Sequence, residues 1–319
     1  MTRSLRALAL LATLAASSLH AQSVVTGRAL APDGSAVPLS VVRLLPGKRT
    51  ALTDQRGAFR FDSVQPGRYR LQMERIGYTA PPSAEFAVVE GAVSEHTLRA
   101  AMQPVVLEGV SNGPPACYTR DRLHEAPAVQ ALWREAQKGL EQRSAFAERY
   151  AYRFDTRMRG VARLRLLRDR RLDRDSTVVV NPDSARARRE RFAREGLGSQ
   201  KGNSFSITVP DELYLLADDF LATHCLEANP RQDSAGTWAL RYRPVRTTPG
   251  VVDLAGTIHL DGRGYAVRRL EYRYLRGRSP WASAAIEYGD VATPFGTMRM
   301  RRSGWLRADP AGLMGVVVS

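Results

Sequence analysis

The sequence predicts a mainly β protein in two parts: a β-sandwich over residues 22–104, then an α+β domain with a mostly antiparallel sheet over residues 117–319. Three observations predict it. From Val24 to Tyr78, short β-prone runs alternate with Gly, Pro and Asp turns at a spacing of roughly 8–12 residues, the pattern of a sandwich. From Thr237 to Arg307, longer runs alternate apolar and polar residues, as a sheet with one buried face requires. Between them, Val129, Leu132, Trp133, Ala136 and Leu140 recur at helical spacing.

In the first part the expected strands are Ser23–Leu30, Val37–Leu45, Arg49–Thr53, Ala58–Ser63, Gly67–Arg75, Ala84–Val88 and Ser94–Met102. Asp33-Gly34, Asp54 to Gly57 and Pro66-Gly67 turn the chain between them. Tyr69, Leu71 and Met73 alternate with Arg68, Arg70 and Gln72, which sets one face inward and one in water. Phe59 and Phe61 share a face and belong in the core.

Gly27, Asp33-Gly34, Pro38-Leu39, Thr53-Asp54, Gly57, Phe59, Phe61, Pro66-Gly67, Tyr69, Leu71 and Gly77-Tyr78 together resemble the carboxypeptidase regulatory-like domain. The resemblance implies a seven-stranded, transthyretin-like sandwich with Tyr69 and Tyr78 at packing positions. It also implies binding or scaffolding rather than chemistry, because in that family the sandwich is an accessory to a catalytic domain. The resemblance covers about a quarter of the chain.

Met1–Ala21 reads as a cleavable export signal: Arg3 and Arg6, an apolar run from Ala7 to Ala16, and a small residue at Ala21. The run is too short for a membrane anchor, and no later apolar stretch reaches the about 18 residues that a spanning helix needs. Periplasmic or secreted placement follows as the expectation. Cys117 and Cys225, the two cysteines, are then expected as a disulfide. The formal net charge is +15, and Lys48, Lys138 and Lys201 are the only lysines, so the basicity is arginine. Outside the cytoplasm such charge points to envelope polysaccharide, anionic lipid or another envelope protein, and away from nucleic acid. The preference for arginine over lysine along the whole chain also fits a GC-rich genome, which is the plainer explanation.

Residues 105–116, with Ser111-Asn112-Gly113-Pro114-Pro115, read as a linker. Beyond it, Ala128–Phe146 is the expected helix, with Pro127 in its first turn. Tyr150–Met158, Val161–Arg168 and Ser176–Val180 are expected strands; Pro182–Glu195, capped by Asn181, and Asp211–Thr223 are expected helices. The strands Thr237–Arg243, Val251–Leu260, Tyr265–Tyr274, Trp281–Tyr288 and Thr297–Arg307 follow, the middle pair joined by the Asp261-Gly262-Arg263-Gly264 turn. Such a sheet is loosely similar to periplasmic lipoprotein-carrier folds, which makes a carrier of lipid or another apolar ligand the alternative function.

Motifs for chemistry are sparse. His224 and Glu227 match H-x-x-E, and His259 would complete a zinc set, but Cys225 between them is assigned to the disulfide. No P-loop or G-x-G-x-x-G is present. Asp211-Glu212 and Asp218-Asp219 are better explained by a helix start and its outer face than by acid–base work. No enzymatic activity and no cofactor are expected. Trp238, Tyr242, Trp281 and Trp305 are the candidate ligand contacts, aromatic surfaces beside arginines that suit sugar rings, with a core role as the alternative.

Overall fold

The computed structural model describes residues 23–47, 49–103, 116–164, 167–183, 187, 198–201, 204–207, 215, 220–227, 236–247, 252–277, 279–308 and 317–318. The expected leader and all of the linker but Ala116 lie outside them, as do Asp211, Glu212, Asp218 and Asp219 and most of Pro182–Glu195 and Asp211–Thr223.

The first part contains β1 (Ser23–Leu30), β2 (Val41–Leu45), β3 (Arg49–Leu52), β4 (Ala58–Val64), β5 (Gly67–Glu74), β6 (Tyr78–Thr79), β7 (Phe86–Val88), β8 (Val93–Arg99) and β9 (Ala101–Met102). A three-stranded sheet ordered β4-β1-β8 faces a four-stranded sheet ordered β3-β2-β5-β7, and β6 pairs with β9 at one edge. The fold class is as expected. Val25, Val42, Leu44, Phe59, Phe61, Leu71 and Met73 fill the space between the sheets. Gly27 is glycine because β8 and the Phe59 ring press against it: a side chain there would overlap the His96 carbonyl. Gly57 turns with φ at +73°.

One strand is shorter than expected. The chain from Val37 to Ser40 leaves the sheet, with Leu39 at φ +58°. Thr53 explains the kink: its buried hydroxyl accepts from Ser40 N at 2.8 Å and donates to Val37 O at 2.8 Å. These side-chain bonds satisfy backbone groups that a continued ladder would otherwise have held.

The second part starts with β10 (Cys117–Tyr118), a 3₁₀ turn (Arg120–Glu125) and α1 (Pro127–Arg149). Next come β11 (Tyr152–Leu164), β12 (Leu167–Val180), β13 (Gly198–Lys201), β14 (Ser204–Ile207), α2 (Phe220–Thr223) and β15 (His224–Glu227). The chain then meanders through β16 (Thr237–Pro244), β17 (Val252–Asp261), β18 (Val267–Arg276), β19 (Ser279–Thr293), β20 (Gly296–Ala308) and β21 (Val317–Val318). Ten strands form one sheet ordered β10-β15-β16-β17-β18-β19-β20-β21-β11-β12. Each of its pairings is antiparallel.

The three short strands expected between residues 150 and 180 are instead one long hairpin, with Tyr152 opposite Val180 and Leu164 opposite Leu167. Its arginine–aspartate run interrupts the apolar alternation without interrupting the ladder, because ladder bonds come from the backbone. The Asp261 turn is as expected: its carboxylate accepts from Arg263 N at 3.0 Å and Gly264 N at 2.8 Å.

The meander sorts its two faces by register. Tyr242, Gly256, Tyr272 and Ala284 stand in one cross-strand row, and Leu240, Ile258, Leu270 and Ile286 in another on the same face. This face is apolar and buried under α1. The opposite face carries Arg269, which reaches Glu271 at 2.9 Å and Glu287 at 3.2 Å.

Candidate functional site

α1 lies where the two parts meet, and it is used on several sides. Leu132, Trp133, Ala136 and Leu140 recur every three or four residues and pack on the apolar face of the large sheet. The Trp133 ring stacks on Phe220 at 5.3 Å between centroids, and Phe220 stacks on His224 at 4.7 Å. One turn on, Ala145 and Phe146 join Leu39, Val41 and Leu52 of the sandwich and Met298 of β20 in a small three-sided core. Gly139 leaves room for Ile76 of the sandwich.

Polar residues of α1 hold the sandwich directly. The Glu135 carboxylate accepts from Gly77 N at 2.7 Å. Lys138 Nζ donates to Tyr78 O at 2.8 Å and to Glu135 at 2.6 Å. Gln142 Nε2 donates to Leu39 O at 2.5 Å, meeting the carbonyl that the kink in the chain frees. Arg149 donates to Thr50 O and Arg60 O, both at 3.1 Å. Arg143 is buried over the Tyr288 ring at 4.2 Å.

At the centre of this junction Arg43 of β2 bridges two carboxylates, Glu74 of β5 at 2.9 Å and Glu141 of α1 at 2.5 Å. Burial, with Glu74 beside it, pushes the Glu141 carboxyl up to about 8 against the pull of Arg43. Burial also works against the Arg43 charge, but Glu141 and Glu74 outweigh it and hold the guanidinium charged. One cation serves two carboxylates, so near neutral pH the pair keeps a proton.

Cys117 and Cys225 form a disulfide with Cα atoms 5.3 Å apart. It ties β10 to β15 at one edge of the sheet, closing a separation of 108 residues.

The zinc candidates are held apart. His224 is a buried histidine with its own partners: Nδ1 is 2.9 Å from the Thr223 hydroxyl, and Nε2 is 3.1 Å from both Leu254 O and the Asp253 carboxylate. Glu227 pairs with Arg243 at 3.2 Å, and His259 faces Glu271 at 3.6 Å. In the ladders His224 lies opposite Pro244 and His259 opposite Ala239, five positions apart on β16. That spacing is about 17 Å and puts the two imidazoles on opposite faces. Among the described residues no group of three or more His, Cys, Asp or Glu is arranged to hold a metal ion.

The four aromatic candidates do not share a surface. Tyr242 is 2% exposed in the main core, where its ring covers Gly256 and its hydroxyl lies 3.4 Å from Glu271 O. Burial raises the pKa of that hydroxyl well above the usual tyrosine range. Trp238 is partly buried at the rim of the same core. Trp305 is 38% exposed in the row of Ala285 and Glu271, hence on the opposite face. Trp281 falls at the bulge between β18 and β19, and its side chain lies outside the described residues.

Residues 24–103 match the carboxypeptidase regulatory-like domain. No curated protein matches the chain. Among solved structures it is similar to the minor pilin of Streptococcus agalactiae, at 15% identity and a TM-score of 0.23 over 30% of this chain and 49% of that one. A streptococcal ancillary pilin is similar at 8% identity and a TM-score of 0.24, over 88% of this chain and 59% of that one. The major pilin subunit of Bacillus cereus is similar at 11% identity and a TM-score of 0.24, over 93% of this chain and 95% of that one. The chain thus spans about half the length of the first and three fifths of the second. Likeness at these scores carries no argument about activity.

Sequence reasoning missed the polar side of α1. Glu135, Lys138, Glu141 and Gln142 look like a solvated stripe beside the apolar one. The available signal was burial demand: α1 follows a regulatory-like sandwich at short range and has two apolar patches, Leu132 to Leu140 and Ala145-Phe146, at different angles around the helix.

Proposed function

We propose that the chain is an exported, non-catalytic scaffold of the cell envelope, in which a carboxypeptidase regulatory-like sandwich presents a binding surface for envelope polysaccharide. The observation that supports this reading is the junction at α1. A helix bonded to Leu39, Thr50, Arg60, Gly77 and Tyr78 on one side and buried in the large sheet on the other joins the parts as a single stiff piece. Stiffness of this kind suits a load-bearing or presenting role, whereas substrate closure needs parts that move. No helix among the described residues is long and apolar enough to cross a membrane.

The test is co-sedimentation of the mature chain with purified peptidoglycan and with anionic envelope polysaccharide, at low and moderate salt. Retention that weakens with salt is the expected result. No retention on either polymer overturns the polysaccharide reading. Lipid found by native mass spectrometry in the purified protein would replace it with the carrier reading.

A further inference from the structure

β8 is the outer strand of the β4-β1-β8 sheet, and among the described residues it pairs there with β1 alone. That ladder is parallel, so successive residues of β8 aim their backbone groups alternately toward β1 and away from it. Val24 N donates to Ala92 O and Ala100 N to Leu30 O, both at 2.9 Å, so the even-numbered residues face β1. Val93, Glu95, Thr97 and Arg99 therefore present their N–H and C=O groups outward. The side chains of all four are exposed or nearly so, with Val93 at 68%.

We propose that this edge binds a second copy of the chain, β8 pairing antiparallel with its own counterpart about a two-fold axis at Thr97. Such an axis stands normal to the sheet, because it must reverse strand direction while keeping each side chain on its face. With the axis at Thr97, Glu95 lies opposite Arg99 of the second copy, Arg99 opposite its Glu95, and Thr97 opposite itself. These are the residues whose backbone groups point outward, so all three pairs are hydrogen-bonded pairs. Cross-strand Glu–Arg and Thr–Thr pairs both favour the ladder. Moving the axis to Glu95 or to Arg99 sets like charges face to face. Past Ala100 the edge is taken, since β6 pairs with β9 through Thr79 and Ala101. The ladder is short, and its charges fix its register.

Two other outer strands, β4 and β12, lack this match. Arg49 donates to Asp62 O and Ser63 O of β4, and Arg149 to Arg60 O, which occupies that edge. In β12 an axis at Arg171 would set Arg168 opposite Arg174 and Asp169 opposite Asp173, and an axis at Leu172 would set Arg170 opposite Arg174 and Asp169 opposite Asp175. Like charges protect that edge from self-pairing.

Sedimentation of the mature chain over a range of concentrations tests the proposal. A monomer–dimer equilibrium is expected. Glu95→Arg should weaken it by about tenfold or more, and Glu95→Arg with Arg99→Glu should restore it. Thr97→Pro removes an outward donor while leaving the β1 ladder intact, and should abolish the dimer; unchanged circular dichroism confirms that each variant folds. A chain that stays monomeric throughout overturns the proposal, even if another protein's strand binds β8. So does a dimer indifferent to both Glu95→Arg and Thr97→Pro.

Discussion

The sandwich closes on itself, while the large sheet closes on a helix. In the sandwich, Val25, Phe59 and Phe61 of one sheet meet Val42, Leu44, Leu71 and Met73 of the other, so each sheet supplies the other's cover. The ten-stranded sheet has no facing sheet among the described residues. Its apolar face is covered by α1, the 3₁₀ turn, Leu215 and Phe220, and bulky tyrosines fill the space where a second sheet would otherwise interdigitate. The order of the large sheet thus depends on α1, and α1 in turn is bonded to the sandwich. Perturbations of the sandwich core should stay local, while perturbations of the joint should be felt by the sheet.

The disulfide offers the largest test of that asymmetry, because it lies wholly within the sheet part. Replacing Cys117 and Cys225 by Ala should lower the stability of the sheet by about 4–5 kcal/mol through the entropy of the open loop. Calorimetry should then resolve two transitions, the sheet melting first and the sandwich unmoved. One transition shifted as a whole would mean that the sandwich cannot stand without the sheet.

Two glycines make a matched pair at the next scale. A methyl group at Gly27 meets the His96 carbonyl and the Phe59 ring; one at Gly256 meets the Glu271 carbonyl and the Tyr242 hydroxyl. In each case a backbone atom blocks the space, so relaxation requires moving a strand. Gly27→Ala and Gly256→Ala should each cost about 2–3 kcal/mol. By the same asymmetry, hydrogen exchange should show Gly27→Ala loosening β1, β4 and β8 alone, and Gly256→Ala loosening the meander together with α1.

The contrast between the parts also governs what could be read from the residues alone. Turn residues carry most information where loops are tight, and the sandwich is dense with them: Asp33-Gly34, Asp54 to Gly57 and Pro66-Gly67 each fall at a turn. The meander strands were legible for a related reason, since period-two alternation from Trp238 to Tyr242 and from Leu270 to Tyr274 marks the face that α1 covers. The β11–β12 hairpin was not, because charged residues along it hide a ladder held by backbone bonds. The disulfide was expected from the cysteine count together with the leader-like pattern of the first 21 residues. The aromatic candidates were not separable by residue type, which carries no face: Tyr242 and Trp305 lie in adjacent rows of the sheet and so point to opposite sides. The joint was least legible, since it depends on which parts of the chain meet in space.

The joint should respond to pH in a direction opposite to that of most buried ion pairs. Glu141 has its pKa raised in the folded protein, to about 8, so the folded state holds a proton that an unfolded carboxylate gives up. Its stabilisation is complete below the unfolded carboxylate pKa and is lost as pH rises through about 8. The Glu141 side chain is a quarter exposed, so solvent takes up part of that shift and the loss between mildly acidic and alkaline pH should be about 1–2 kcal/mol. Glu141→Gln keeps the shape of the protonated form and should flatten the profile; a profile unchanged by Glu141→Gln would place the titration elsewhere.

The sandwich contains the natural control for that experiment. Arg68 also pairs with a carboxylate, reaching Glu85 at 2.8 Å, a spacing between the two at Arg43. Arg68 is 80% exposed where Arg43 is 26% exposed, so water and salt screen the first pair far more than the second. Arg68→Ala should leave the melting temperature unchanged at every pH. Arg43→Ala leaves two half-buried carboxylates facing each other without their cation, and should destabilise the joint more as the pH rises. Equal responses from the two variants would show that contact distance, and not burial at α1, decides what an ion pair does in this protein.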